Sequence, residues 1–211
     1  MFADRVDAGR QLAAELFGTD AAPDDAVVLG LPRGGVVVAA EVAAALHRPL
    51  DVIVIRKLGA PGHRELAMGA IGESGQRVLD ADIVRKVGAS NDQIAEIEAE
   101  ERAALADRVA RLRQGRPRPV LTGRTALVVD DGVATGSSAR IACTVARGLG
   151  AARVVLAVPV APAATVRSFG EADDVVVVDQ PRHFYAVGAH YRDFSPVSDD
   201  EVIALLENSG Y

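Results

Sequence analysis

The chain has 211 residues, of which 49% are hydrophobic and 25% charged, the composition of a folded globular protein and not of a disordered one. Its net charge of −6, from 29 acidic against 23 basic residues, works against a general binder of nucleic acid or of anionic membranes, while leaving room for a local basic pocket. A single cysteine excludes an internal disulfide and a multi-cysteine metal site. Residues 3–17 predict an amphipathic helix, with Val6, Ala13, Leu16 and Phe17 near helical spacing and Gly18 as its stop. Residues 27–31 form a short apolar run, read as a buried strand that meets Pro32-Arg33-Gly34-Gly35. An Ala/Val-rich stretch to Leu46 then has the length of a helix. Further strands are expected at 52–55, 126–129, 154–158 and 175–178, with helices at about 137–149 and 162–169.

These strands are continuous apolar runs separated by helices, the pattern of a parallel sheet covered on both faces. The expected architecture is an open, doubly wound α/β sheet, whose ligands sit at the carboxyl ends of the strands. Residues 90–113 break the rhythm. Ser90-Asn91-Asp92-Gln93 has the form of a capping box, and Ile94, Ile97, Leu105, Val109 and Leu112 follow at helical spacing. Glu98 with Arg102 and Asp107 with Arg111 make i,i+4 pairs of favourable polarity. A long, charged helix is therefore inserted into the α/β order, as a structural hairpin or a dimer contact. No apolar core of signal-peptide length opens the chain and no run of about 18 apolar residues occurs, so one cytoplasmic domain over 1–211 is expected.

The strongest chemical signal is Leu127-Val128-Val129-Asp130-Asp131-Gly132-Val133-Ala134-Thr135-Gly136-Ser137-Ser138. A buried strand delivers two adjacent carboxylates to the sheet edge. A short turn then leads into a helix whose unpaired N–H groups, hydroxyls and dipole suit a phosphate. Carboxylates beside a phosphate cradle match a phosphorylated ribose. The segment lacks the three spaced glycines of a dinucleotide fingerprint and the Gly-Lys-Ser/Thr of a Walker A loop. It resembles the signature for 5-phosphoribosyl pyrophosphate (PRPP) in the type I phosphoribosyltransferases. That resemblance, over roughly residues 25–72 and 120–195, implies a parallel sheet with a C-terminal hood, here about 180–211, and leaves the helical insert, about 80–117, outside it. It also implies that Asp130 and Asp131 bind the ribose hydroxyls and that Ala134, Thr135, Gly136, Ser137 and Ser138 cradle the 5′-phosphate.

Other segments gain meaning beside it. The glycines of Pro32-Arg33-Gly34-Gly35 leave backbone N–H groups open to an anion, and Arg33 adds a bidentate charge; the resemblance makes this loop the pyrophosphate grip. Arg56 and Lys57 are cations expected at a strand end, on the pyrophosphate side, and the Gly/Pro-rich 58–65 segment is expected to move. His63 and Arg64 in it are loop contacts or a solvated turn. Four of the eight aromatics fall within 184–194, so Phe184 or Tyr185 is expected either to stack a planar base or to pack the hood. By resemblance Asp193 lies near the metal-diphosphate, with a spacing one residue longer than the family's. Ala134 stands where hypoxanthine-guanine enzymes carry Asp. Cys143 reads as a buried hydrophobe, and His47, His183 and His190 show no metal-ligand spacing.

The resemblance thus implies transfer of the 5-phosphoribosyl group from PRPP to a nucleobase, with Arg33, Lys57, Asp130 and Asp131 as the working residues. Mg²⁺ would be carried on the substrate's oxygens, and a homodimer is expected. Two rivals stand beside this reading: a non-catalytic PRPP or nucleotide sensor, and a dinucleotide-dependent oxidoreductase. Retained Arg33, Arg56 and Lys57 favour catalysis over the first, and the missing glycine spacing counts against the second.

Overall fold

Strands that read as unbroken apolar runs must be covered on both faces, and they are. The computed structural model describes residues 1–209. The chain runs α1 (Arg5–Leu16), β1 (Val27–Gly30), α2 (Gly34–Leu46), β2 (Leu50–Val52), β3 (Ile55–Ala60), β4 (His63–Gly72) and β5 (Arg77–Leu79). It continues through α3 (Ala81–Val87), α4 (Asn91–Arg113), β6 (Thr125–Val129), α5 (Ser137–Gly148), β7 (Arg153–Val160), α6 (Ala163–Arg167), β8 (Asp174–Asp179) and α7 (Asp199–Asn208). Two 3₁₀ turns, Glu73–Gly75 and Val187–His190, complete it.

Five strands form a wholly parallel sheet in the order β2-β1-β6-β7-β8. Alternate residues serve opposite faces. Val28, Leu127, Val129 and Val155 join the layer containing Leu12 and Leu16 of α1, Val38 and Val42 of α2 and Leu206 of α7. Leu29, Val128, Val154 and Leu156 meet Ala142, Cys143 and Val145 of α5 on the other face. The chain leaves β1 toward β2 on one side and returns through β6 on the other. The topological switch point therefore lies between β1 and β6, and a crevice is expected at their carboxyl ends.

The second strand differs from its sequence expectation. β2 ends at Val52, and the chain swings out at Ile53 and Val54 into a separate antiparallel sheet, β3-β4-β5. Ile53 N–H still donates to the Gly30 carbonyl at 3.0 Å, whereas Val54 N–H donates to Glu73 Oε1 at 3.2 Å, outside the parallel ladder. The Gly/Pro-rich 58–65 stretch is thus a hairpin rather than an open loop. Pro61 and Gly62 (φ 72°) make its turn, and irregular pairing at Leu58–Ala60 bends it.

The capping box at Ser90 forms as read, with Gln93 N–H donating to Ser90 Oγ at 3.2 Å and Ser90 N–H donating to Gln93 Oε1 at 2.9 Å. Leu105 and Leu112 of α4 bury against the core. Glu98 and Arg102 pair as expected, at 2.6 Å. Arg111, however, turns away from Asp107 and lies with Arg108 against Asp199 at the start of α7. The C-terminal region also divides. Residues 180–198 lie beyond the end of β8, whereas α7 returns to pack its Val202, Ile203 and Leu206 into the α1–α2 layer. Among the described residues no helix is long and apolar enough to cross a membrane.

Candidate functional site

β6 ends at Val129, and the chain then drops over the sheet edge into α5. A cleft of about 220 Å³ opens there, lined by Asp130, residues 132–139, Lys57 from the hairpin and Val187 from the second 3₁₀ turn. Gly136 is the N-cap of α5, in the left-handed conformation (φ 82°) that glycine allows. No side chain caps this helix and its first turn carries no acid, so its N–H groups remain free for an anion. Larger clefts, between α2 and α7 and between the hairpin tip and α4, are not lined by the carboxyl ends of the main sheet's strands.

The acid pair divides. Asp130 faces the cleft, and its Oδ1 accepts from Asp131 N–H at 2.9 Å. Asp131 turns aside, where its Oδ2 accepts from Arg5 Nε at 2.7 Å and its carbonyl accepts from the Tyr191 hydroxyl. Sequence reasoning placed both carboxylates on one sugar; only Asp130 lines the cleft. Burial pushes the Asp130 carboxyl well above the ordinary carboxylate range, and the Asp131 charge adds to it. Burial also raises Asp131, with the bond from Arg5 opposing. Arg5 is the residue the sequence did not announce. It lies 126 positions away from Asp131, in a helix whose spacing speaks only of amphipathicity.

Gly34 and Gly35 serve this pair by their size. A Cβ on Gly34 would stand 2.0 Å from Asp131 Oδ2, and one on Gly35 would stand 2.9 Å from Asp130 Cα. The start of α2 can therefore lie directly against both acids. Arg33 at the N-cap of α2 is exposed, and the peptide joining it to Pro32 is cis. Neither Arg33 nor Lys57 appears in any ion pair of the described residues, in a chain where most arginines are paired with a carboxylate.

Strand alternation separates the other two expected cations. Lys57 lines the cleft, whereas Arg56 faces α4 and pairs with Glu101, so the structure does not bring Arg56 to the anion site. Arg64 points toward Glu100 at 3.5 Å. Beyond β8, Phe184 stacks on His190 with ring centroids 5.2 Å apart, while Tyr185 stands 89% exposed. Asp193 does not reach the cleft. Its carboxylate accepts from Ser195 N–H at 2.9 Å and from the Ser195 hydroxyl, beside Asp4 and Arg5.

A strand-end acid and an uncapped helix N-terminus thus meet at the switch point of an α/β sheet. A family model described as the phosphoribosyl transferase domain matches residues 3–188, and the chain belongs to that family. The crystal structure of TT1426 from Thermus thermophilus is similar over 98% of both chains, at 45% identity and a TM-score of 0.84. A provisionally named phosphoribosyl transferase of Mycobacterium tuberculosis H37Rv is 52% identical over 210 residues, 99% of this chain and 47% of that protein. The chain thus spans about half the length of the curated relatives it matches. A hypothetical Neisseria gonorrhoeae protein with bound ppGpp shares the fold, at 15% identity and a TM-score of 0.54 over 99% of this chain and 96% of that one.

Proposed function

We propose that the cleft binds PRPP and that the protein transfers its phosphoribosyl group to a nitrogenous base, releasing pyrophosphate. One observation carries this reading: the uncapped start of α5 opens into the same cleft as Asp130 and the unpaired Lys57. In it, the N–H and hydroxyl groups of residues 134–138 hold the 5′-phosphate, and Asp130 accepts from a ribose hydroxyl. Lys57 and Arg33 face the leaving diphosphate, where fixed charge lowers the barrier to its departure. The acceptor enters beside Val187, with Phe184 or Tyr185 against its ring.

Among the described residues no group of three or more His, Cys, Asp or Glu side chains could cage a metal. A cleft with a single carboxylate fits Mg²⁺ carried on the diphosphate's own oxygens and on water. When bound, Mg²⁺ offsets leaving-group charge; the binding and orientation remain the work of Asp130, Lys57, Arg33 and the 134–138 backbone.

Titration of the protein with Mg²⁺-PRPP and with a nucleoside 5′-monophosphate tests the reading, followed by assay of pyrophosphate release against a panel of nucleobases. Saturable binding of both ligands is expected, with a melting shift worth about 2.7 kcal/mol at a hundredfold excess over Kd. Absence of heat and of any shift at millimolar ligand overturns it. Binding without pyrophosphate release for any base marks a sensor instead of an enzyme.

A further inference from the structure

The loop between β6 and α5 is anchored at three points. Val133 N–H donates to the Val160 carbonyl at the end of β7 at 2.9 Å, and Arg140 N–H donates to the Gly136 carbonyl at 2.8 Å. Both are bonds between backbone groups. The third anchor is a side chain: the Thr165 hydroxyl of α6 donates to the Ala134 carbonyl at 2.7 Å. The same threonine helps to close one side of Gly136, where a Cβ would lie 3.3 Å from Thr165 Cγ2, 3.4 Å from Phe169 Cε2 and 3.5 Å from Arg140 Nε. With only five residues, α6 is too short to hold itself in place. It is pinned to α5 instead. The Thr165 carbonyl accepts from the Ser168 hydroxyl at 3.1 Å, and Arg140 donates through Nη2 to Ser168 Oγ at 3.0 Å and through Nη1 to Glu171. The Arg140 Cζ also lies 4.6 Å from the centre of the buried Phe169 ring.

Resting on the reading of residues 134–138 as the 5′-phosphate loop, we propose that Thr165 is a positioning residue: it sets the Ala134–Thr135 peptide so that the Thr135 N–H faces the phosphate. That peptide is trans, hence planar, and its C=O and N–H point in opposite directions. No residue of α6 lines the cleft, so a carbonyl drawn to Thr165 turns the N–H on the other side of its peptide toward the cleft that Thr135 lines. Without the hydroxyl the carbonyl is free to turn. A carbonyl oxygen swung into the cleft repels a phosphate at the place where the N–H attracts it. A donor fixed before the ligand arrives also costs nothing to order when the ligand binds.

The test compares the parent, T165V and T165S by calorimetry with ribose 5-phosphate and by the amide and carbonyl resonances of residues 134–136. Valine keeps the methyl against Gly136 and removes the hydroxyl, whereas serine keeps the hydroxyl and removes the methyl. Loss of one well-aimed hydrogen bond to a charged group predicts that T165V binds about tenfold more weakly, while T165S stays within about threefold of the parent. Ribose 5-phosphate is expected to move the Thr135 amide proton downfield in the parent and in T165S, and far less in T165V. Binding by T165V within about threefold of the parent, binding by T165S as weak as that of T165V, or a Thr135 shift equal in T165V and the parent overturns the proposal. T165A, judged by the same measures, takes the place of T165V if the valine variant does not fold. If the parent itself binds no ribose 5-phosphate, the phosphate reading fails by itself. The Ala134 carbonyl-carbon resonance of the ligand-free protein then decides what Thr165 does. A shift in T165V and none in T165S supports its hold on the peptide, and a resonance unmoved in T165V overturns it.

Discussion

Replacing Arg113 by methionine should be among the most damaging single changes outside the cleft. Arg113 closes α4 and is 7% exposed. Its Nε donates to both Asp51 carboxylate oxygens at 3.0 Å, and Nη2 donates to the Val52 carbonyl at 3.0 Å and to Glu73 Oε1 at 3.1 Å, with Nη1 paired to the same Glu73. Glu73 Oε1 also accepts from Val54 N–H, so the network fixes the stretch that leads into β3 and Lys57. Methionine keeps the length and leaves two buried carboxylates facing each other. Breaking one side of a buried ionic network costs about 3–5 kcal/mol. Arg118, 3.6 Å from Glu73, remains as a partial substitute and places the expected loss near 3 kcal/mol, a large share of a domain's usual 5–15 kcal/mol. Urea unfolding followed by circular dichroism reads this as a lower midpoint at unchanged slope. Burial already pushes Asp51 above the ordinary carboxylate range, so a proton can relieve the orphaned pair, and the loss should shrink as pH falls from 8 toward 5. A loss below about 1 kcal/mol, or one equal at both pH values, would refute the argument that the network's charges are mutually required.

Three further outcomes follow from the same geometry. Arg33→Ala should weaken Mg²⁺-PRPP and slow turnover while sparing a nucleoside monophosphate, because the proposed placement sets Arg33, at the α2 turn, against the diphosphate and residues 134–138 against the 5′-phosphate; equal losses in calorimetry would remove it from the pyrophosphate site. Asp130→Asn should weaken binding of a ribose phosphate, because an amide in that place offers one acceptor oxygen fewer, and yet raise the melting temperature at neutral pH. The sign follows from the raised carboxyl: between its ordinary and its folded value the folded chain holds a proton that the unfolded chain has lost, so parent stability falls as pH rises through that window. A scan of melting temperature against pH in which Asp130→Asn keeps the parent's slope would contradict this. Burial pushes the Cys143 thiol up to about 12, so a thiol reagent at pH 8 should label the protein only after unfolding, and rapid labelling of the folded chain would disprove it.

The main sheet was legible because its strands are buried on both faces and its turns carry their chemistry in sequence. Val128 through Ser138 could be read as strand, acid pair and helix start without knowing any neighbour. The hairpin was not legible in the same way. Its first strand, Ile55–Ala60, mixes Arg, Lys and Gly with apolar residues, and the exposed opening of β4, from His63 to Leu66, shows no apolar face. Only Pro61-Gly62 marked the turn. Other failures concern partners remote in sequence. Helical spacing offered Asp107 to Arg111, but the fold brings Asp199 closer. The paired glycines read as openings for an anion, whereas much of what they admit is the acid pair itself. The local signal did hold where both partners are local: Ser90 and Gln93 form the box read at the start of α4. The same box of Ser198 and Glu201 at the start of α7 is equally local but was not read.

Inserting the hairpin and α4 between β2 and β6 also sets a folding order. The central pairing of the parallel sheet, Val27 with Ala126 through Gly30 with Val129, closes a loop of about 100 residues, and such closures are slow and entropically costly. Most of the enclosed chain, residues 55–113, can be organised beforehand by near neighbours: Ala60 pairs with His63, Gly69 with Leu79, and Arg77 with Glu98. Once that piece is compact, the loop left to close is effectively about 40 residues, which lowers its entropic cost by roughly 0.8 kcal/mol. Amide protection in a quenched-flow experiment should therefore appear in β4 and α4 before it appears in β1.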